Sequence, residues 1–216
     1  MTTISDDKKI IILYYKHCPN FLRYQLLLDW HGINYMGYEI NTKNQLDELL
    51  NSLFIDDLKI YINEIFIGSL IIIDNNIIEN TSGLMAWIVN FKKLKLHKYM
   101  DIIHKESWID SNLLHRGYNL TLGNNIINIF KKISWISERQ HIGNSLLMET
   151  FQNLNLWFKN NPWILGNDFS YSDFSAFIII KNIVDRNNNI LMNLNNLSHW
   201  YYRINSKKDW INILLI

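Results

Sequence analysis

Strand-forming runs crowd into the first 80 residues of this 216-residue chain, and the strand signal disappears after residue 92. "KIIILYY" (9–15) is a β-branched and aromatic run that reads as a buried strand. Pro19 suits the first turn of a helix, where its missing N–H costs nothing. Apolar side chains at 22, 26, 27 and 30 then share one helical face, and Gly32 supplies the stop. "INYMGYEIN" (33–41) reads as a second strand and "NQLDELLNSLF" (44–54) as a second helix. This β-α-β-α order implies a parallel strand pair joined by a crossover helix. The next stretch has two readings. In the preferred one, "SLIIID" (69–74) and "IIEN" (77–80) form an antiparallel hairpin, and a third helix begins near Ser82. In its rival, "KIYIN" (59–63) pairs with "IFIG" (65–68), and the helix begins near Ser69.

Beyond residue 92 the spacing is helical throughout. It appears in "LHKYMDIIHKESWIDSNLL" (96–114), "NNIINIFKKISWI" (124–136), "NSLLMETFQNLNLWFKN" (144–160), "SDFSAFIIIKNIV" (172–184) and "NLSHWYYRI" (196–204). The chain therefore divides into a small α/β domain, residues 1–91, and an all-helical domain, residues 92–216. A hydrophobic share of 48% with eight tryptophans argues for a packed globular protein. The net charge of +1 does not call for a nucleic-acid partner, and the few lysines of "FKKLKLHK" (91–98) make a weak basic patch. No run approaches the roughly 18 apolar residues of a membrane span. The first residues lack the pattern of a signal peptide. With a single cysteine, which cannot close an internal disulfide, a cytoplasmic location is expected.

That cysteine, Cys18, stands between the first strand and Pro19. At a helix N-terminus, unpaired N–H groups and the helix dipole favour thiolate over thiol, and Lys16 and His17 add positive charge or donors nearby. The alternative is an inert cysteine packed as a small hydrophobe. A Cys-X-X-Cys pair is excluded because Phe21 holds the second position, so redox chemistry here requires an external thiol. The scattered histidines, His97 and His104 among them, do not form a metal-ligand pattern, and no metal is expected. In "NPWILGNDFSYSDFSAF" (161–177), Ser170 and Asp173 read as a capping box that starts a helix, with "WILG" as the staple and turn before it. Their role is structural.

Together these segments resemble the glutathione transferase superfamily over nearly the whole chain. "CPNFLRYQLLLDWHGINY" is similar to the family's first helix, with Pro19, Arg23 and Gly32-Ile33-Asn34-Tyr35 at the characteristic places. "NPWILGNDFSYSDFSAF" resembles the signature before the core C-terminal helix, and "NLSHWYYRINSKKDW" the closing helix and tail. The resemblance implies a thioredoxin-like N-terminal domain followed by a helical glutathione transferase C-terminal domain, usually as a homodimer. A cysteine at this place points to the omega-like and glutaredoxin-2-like branches. In those branches Cys18 would be the nucleophile and glutathione the co-substrate, exchanged as a mixed disulfide. Pro19, Leu70, Thr81 and Ser82 fall at glutathione-binding places. Two of these depart from the pattern: Leu70 (Leu58 in the rival register) replaces a cis-proline, and Thr81-Ser82 (or Gly68-Ser69) replaces Glu/Gln-Ser, with Glu79 as a nearby acid. A cis bond before a non-proline residue would cost about 2.5–4 kcal/mol. The departures suit a second implied role: a non-catalytic protein binding a protein partner, on the pattern of stringent starvation protein A and RNA polymerase.

Overall fold

The computed structural model describes residues 9–15, 18–53, 69–78, 80–114 and 135–206. Within them the chain forms two compact units, Met1–Asn80 and Thr81–Ile216. The expected boundary at 91/92 lies one helix later than this division.

The first unit is built on β1 (Ile10–Tyr14), whose residues Ile10 to Leu13 are all buried. Burial on both faces explains a continuous apolar run where a half-exposed strand would alternate. α1 (Pro19–Trp30) carries the chain across to β2 (Met36–Glu39), which lies parallel to β1 with Ile11 opposite Met36. α1 ends on a Schellman turn: Gly32 adopts φ +60°, its N–H bonds the Asp29 carbonyl at 3.0 Å, and the Ile33 N–H bonds Leu28 at 3.0 Å. Glycine takes that backbone conformation at the least cost of any residue. α2 (Lys43–Ser52) follows, capped by Thr42 Oγ1, which accepts the Gln45 N–H.

β3 (Ser69–Ile73) returns antiparallel to β1, pairing Ser69 with Tyr14 and Leu70 with Leu13. β4 (Asn76–Ile78) closes a two-residue hairpin. Its turn residues Asp74 and Asn75 have φ of 48° and 64°, the left-handed pair that a type I′ turn demands. The sheet order is β2-β1-β3-β4, the mixed arrangement of a thioredoxin-like domain. Ser69 in a strand and α3 (Thr81–Phe91) at the next helix correspond to the preferred register. "KIYIN" and "IFIG" lie outside the described residues, as does most of "NNIINIFKKISWI".

The second unit is helical. α3 packs on α4 (Met100–Ile109), which runs on into a single π turn, Asp110–Leu114. α5 (Trp135–Trp157), α6 (Tyr171–Val184) and α7 (Asn195–Asn205) complete it. α6 is buried all round from Tyr171 to Ile180, so it is the axis of this core. After α3, residues 92–98 form a turn and a short 3₁₀ helix in which Lys93, Lys95 and Lys98 are exposed.

The start of α6 holds the unit together through one carboxylate. Asp173, with no solvent exposure, accepts at Oδ2 from the Ser170 N–H (3.0 Å) and hydroxyl (3.1 Å). At Oδ1 it accepts from the Ile164 N–H (2.9 Å) and from Trp200 Nε1 (2.9 Å) on α7. A loop, a helix start and a second helix thus share one acceptor. The hydrophobic staple is Phe169 against Phe174, edge to face at 4.8 Å, rather than a residue of "WILG". "WILG" instead makes a tight turn, with Trp163 and Gly166 exchanging backbone hydrogen bonds. Asp173→Ala strands four donors and is expected to cost roughly 3 kcal/mol, Asp173→Asn less because one acceptor oxygen remains; denaturant unfolding measures both.

Candidate functional site around Cys18

Where β1 ends, the chain turns sharply: the Cys18 N–H donates to the Tyr15 carbonyl at 3.0 Å. Phe21, in the first turn of α1, stacks on Tyr14 with ring centroids 3.6 Å apart and planes within 9°. Gly37 on β2 leaves room for that stack, since a β-carbon there would sit 3.3 Å from the Tyr14 ring. Strand end and helix start are locked together by these contacts. Cys18 becomes the N-cap of α1 in extended conformation (φ −68°, ψ 120°), with Pro19 as the first helical residue.

The thiol is 3% exposed. Burial pushes its pKa above the ordinary value, and it does so against four opposing influences: the Ser69 hydroxyl, the Phe21 and Asn20 N–H groups, and the positive charge of Arg23. The helix-start effect anticipated for this position is therefore present, and desolvation outweighs it. Burial thus opposes the thiolate that the helix start favours, and both readings of Cys18 draw on this environment. Ser69 Oγ is buried and lacks a hydrogen bond of ordinary geometry among the described residues, yet lies close enough to favour the thiolate. Arg23 is wholly buried, and its Nη1 donates to Asn20 Oδ1 at 2.7 Å, which orients it along the first turn.

Pro19 is buried beside Cys18 in sequence, and Leu70 is a buried strand residue one position beyond Ser69. The Ser69–Leu70 peptide is trans, as is every described peptide bond. β4 pairs only with Ile71 to Ile73, so Ser69 and Leu70 project past it. Thr81 and Ser82 open α3 in the second unit. Thr81 is fully buried, with Oγ1 lacking a hydrogen-bond partner among the described residues, and Ser82 is half-buried. Lys16, His17, Leu58, Gly68 and Glu79 lie outside the described residues. Ser69 as a neighbour of the thiol was not foreseen. Only the antiparallel β1–β3 register brings it there, and that pairing is invisible in local sequence.

Among the described residues, no group of three His, Cys, Asp or Glu side chains is placed to hold a metal ion. No described helix is long and apolar enough to cross a membrane.

Residues 137–211 match the family model for the glutathione S-transferase C-terminal domain. Among curated protein sequences none matches significantly. Solved structures similar in fold include Gtt2 from Saccharomyces cerevisiae, at TM-score 0.68 and 13% identity over 94% of this chain and 99% of that one. A glutathione transferase family member from Pseudomonas fluorescens with two glutathione bound gives 0.66 and 10% over 98% and 94%. A glutathione transferase from Pseudomonas putida with one glutathione disulfide bound per subunit gives 0.66 and 11% over 96% and 91%.

Ser69→Ala removes one of the groups favouring the thiolate. The Cys18 pKa is expected to rise further, and iodoacetamide alkylation at fixed mildly alkaline pH to slow by roughly fivefold relative to the unaltered protein.

Proposed function

We propose that this chain, a member of the glutathione transferase superfamily by its fold and its C-terminal domain, binds glutathione and exchanges its thiol with disulfides through Cys18. The observation that carries this reading is the placement of Cys18 at the N-cap of α1, where the Ser69 hydroxyl, two backbone N–H groups and the Arg23 charge each lower its pKa against the effect of burial. All four favour the charged form, which is the reactive one. The glutathione and glutathione disulfide in the two Pseudomonas structures support the choice of ligand. Pro19 and Leu70 are the residues assigned to the tripeptide near the thiol. Thr81 and Ser82, at a helix start, offer N–H groups suited to a carboxylate.

In the forward step, the Cys18 thiolate attacks the glutathionyl sulfur of a mixed disulfide. A Cys18–glutathione disulfide forms, and the other thiol leaves as thiolate. A second glutathione thiolate then attacks that disulfide, releasing glutathione disulfide and regenerating Cys18. Because burial raises the Cys18 pKa, little thiolate is present at neutral pH, and the exchange rate should climb with pH past the range where an exposed cysteine levels off. A homodimer and a cytoplasmic location accompany this reading. Neither a metal, a nucleic acid nor a membrane takes part.

The same upward shift favours a second reading, in which Cys18 is a packing residue of a non-catalytic transferase-fold protein. Its function would then be to bind a protein partner, on the pattern of a stringent starvation protein A-like regulator of RNA polymerase.

Incubation with glutathione disulfide, followed by intact-mass analysis, separates the two. Thiol exchange predicts one glutathionyl group per chain, faster as pH rises and absent from Cys18→Ser. No adduct at any pH, together with no glutathione binding by calorimetry, would overturn it. Recovery of RNA polymerase subunits by Cys18→Ala would then support the partner reading.

A further inference from the structure

A lysine set between two tryptophans lies within the helical unit. Lys105 on α4 extends over two indole rings, with Nζ 5.5 Å from the Trp108 centroid and 5.4 Å from that of Trp157 on α5. Both distances are inside cation–π range. Around this ammonium is a groove of about 220 Å³ lined also by Asn153, Leu154 and Ile164. Leu154 and Ile164 are buried and form its apolar floor, while Asn153 is exposed at its rim. Trp157 is fixed in place by its Nε1, which donates to the Trp163 carbonyl at 3.1 Å, yet the residue remains 42% exposed.

The ammonium itself has neither an ion pair nor a hydrogen bond among the described residues. Lys105 is half-buried, and the lost hydration lowers its pKa. A partly desolvated charge without a counter-ion is costly, and two indole faces offset only part of that cost. Elsewhere in the unit the fold gives Lys181 a carboxylate, Asp185 four residues on at 2.8 Å. Here it supplies aromatic walls and an open mouth.

We propose that this groove is a binding site for a small planar aromatic carboxylate. The carboxylate meets the open N–H directions of Lys105, and the ring lies on the exposed part of Trp157 above Leu154 and Ile164. An amine or a neutral ring would forgo the charge. A non-aromatic acid would forgo the indole face. The volume is below the roughly 300 Å³ at which drug-sized pockets begin, which limits the occupant to one ring or two fused rings. The site does not depend on Cys18 chemistry, since its lining belongs entirely to the second unit.

The probe is 2-naphthoate, titrated into the full chain by calorimetry and compared with the neutral 2-naphthalenemethanol. Naphthoate is expected to bind at least roughly tenfold more tightly than the alcohol, as loss of one charge-assisted contact implies. Lys105→Met, which retains the aliphatic stem, should weaken naphthoate by a similar factor and leave glutathione binding unchanged. Lys105→Arg should keep most of the affinity, and Trp157→Leu should weaken naphthoate and alcohol alike. Equal affinity for the acid and the alcohol, undiminished binding to Lys105→Met, or displacement of naphthoate by glutathione would each overturn the proposal. The comparison of acid with alcohol needs no variant, so it stands if a substitution impairs folding.

Discussion

The pairing of β1 with β3 is the constraint on which the Cys18 centre depends. β1 is central, with β2 parallel on one side and β3 antiparallel on the other. Its parallel neighbour requires a crossover helix, and that helix must begin where β1 ends; this puts Cys18 at an N-cap. Its antiparallel neighbour sets Ser69 opposite Tyr14, and so brings a hydroxyl beside the thiol. A shift of β3 by one residue that set Leu70 opposite Tyr14 would turn Ser69 to the other face of the sheet and put a leucine beside the sulfur in its place. The same apolar burial that fixes the register also removes water from the sulfur.

Two buried acids at helix starts show how the fold uses such groups. Asp173 and Cys18 both face several donors, and burial raises the pKa of both. Asp173 accepts four hydrogen bonds that join a loop, a helix start and α7, so its carboxylate is consumed by the structure. Cys18 is different: its side chain does not cap the helix. Replacing it by another small apolar residue would leave those packing relationships largely intact. The fold thus leaves this thiol free of a structural task.

Much of this arrangement is legible in the sequence because it is local. Pro19 after Cys18, Gly32 at the end of α1, and the Ser170–Asp173 spacing each act within one helical turn. The hairpin turn is local too, since Asp74 and Asn75 both tolerate left-handed backbone. What was not legible depends on tertiary neighbours. Desolvation of Cys18 comes from what covers it, and Ser69 reaches it from the neighbouring strand β3. The staple falls to Phe169 rather than "WILG" because the turn from Trp163 to Gly166 directs that segment elsewhere. Lys105 gains its second indole only because α5 brings Trp157 beside α4.

Competition between desolvation and donors at one sulfur is the centre of this account, and a single cysteine makes it directly measurable. Ultraviolet thiolate absorbance of the native protein, titrated with pH, reports Cys18 alone once Cys18→Ser has been subtracted. The midpoint should lie above that of free cysteine and fall to the ordinary value when the chain is unfolded in denaturant. A native midpoint below that of free cysteine would mean that the donors prevail over burial, contrary to the structure described here.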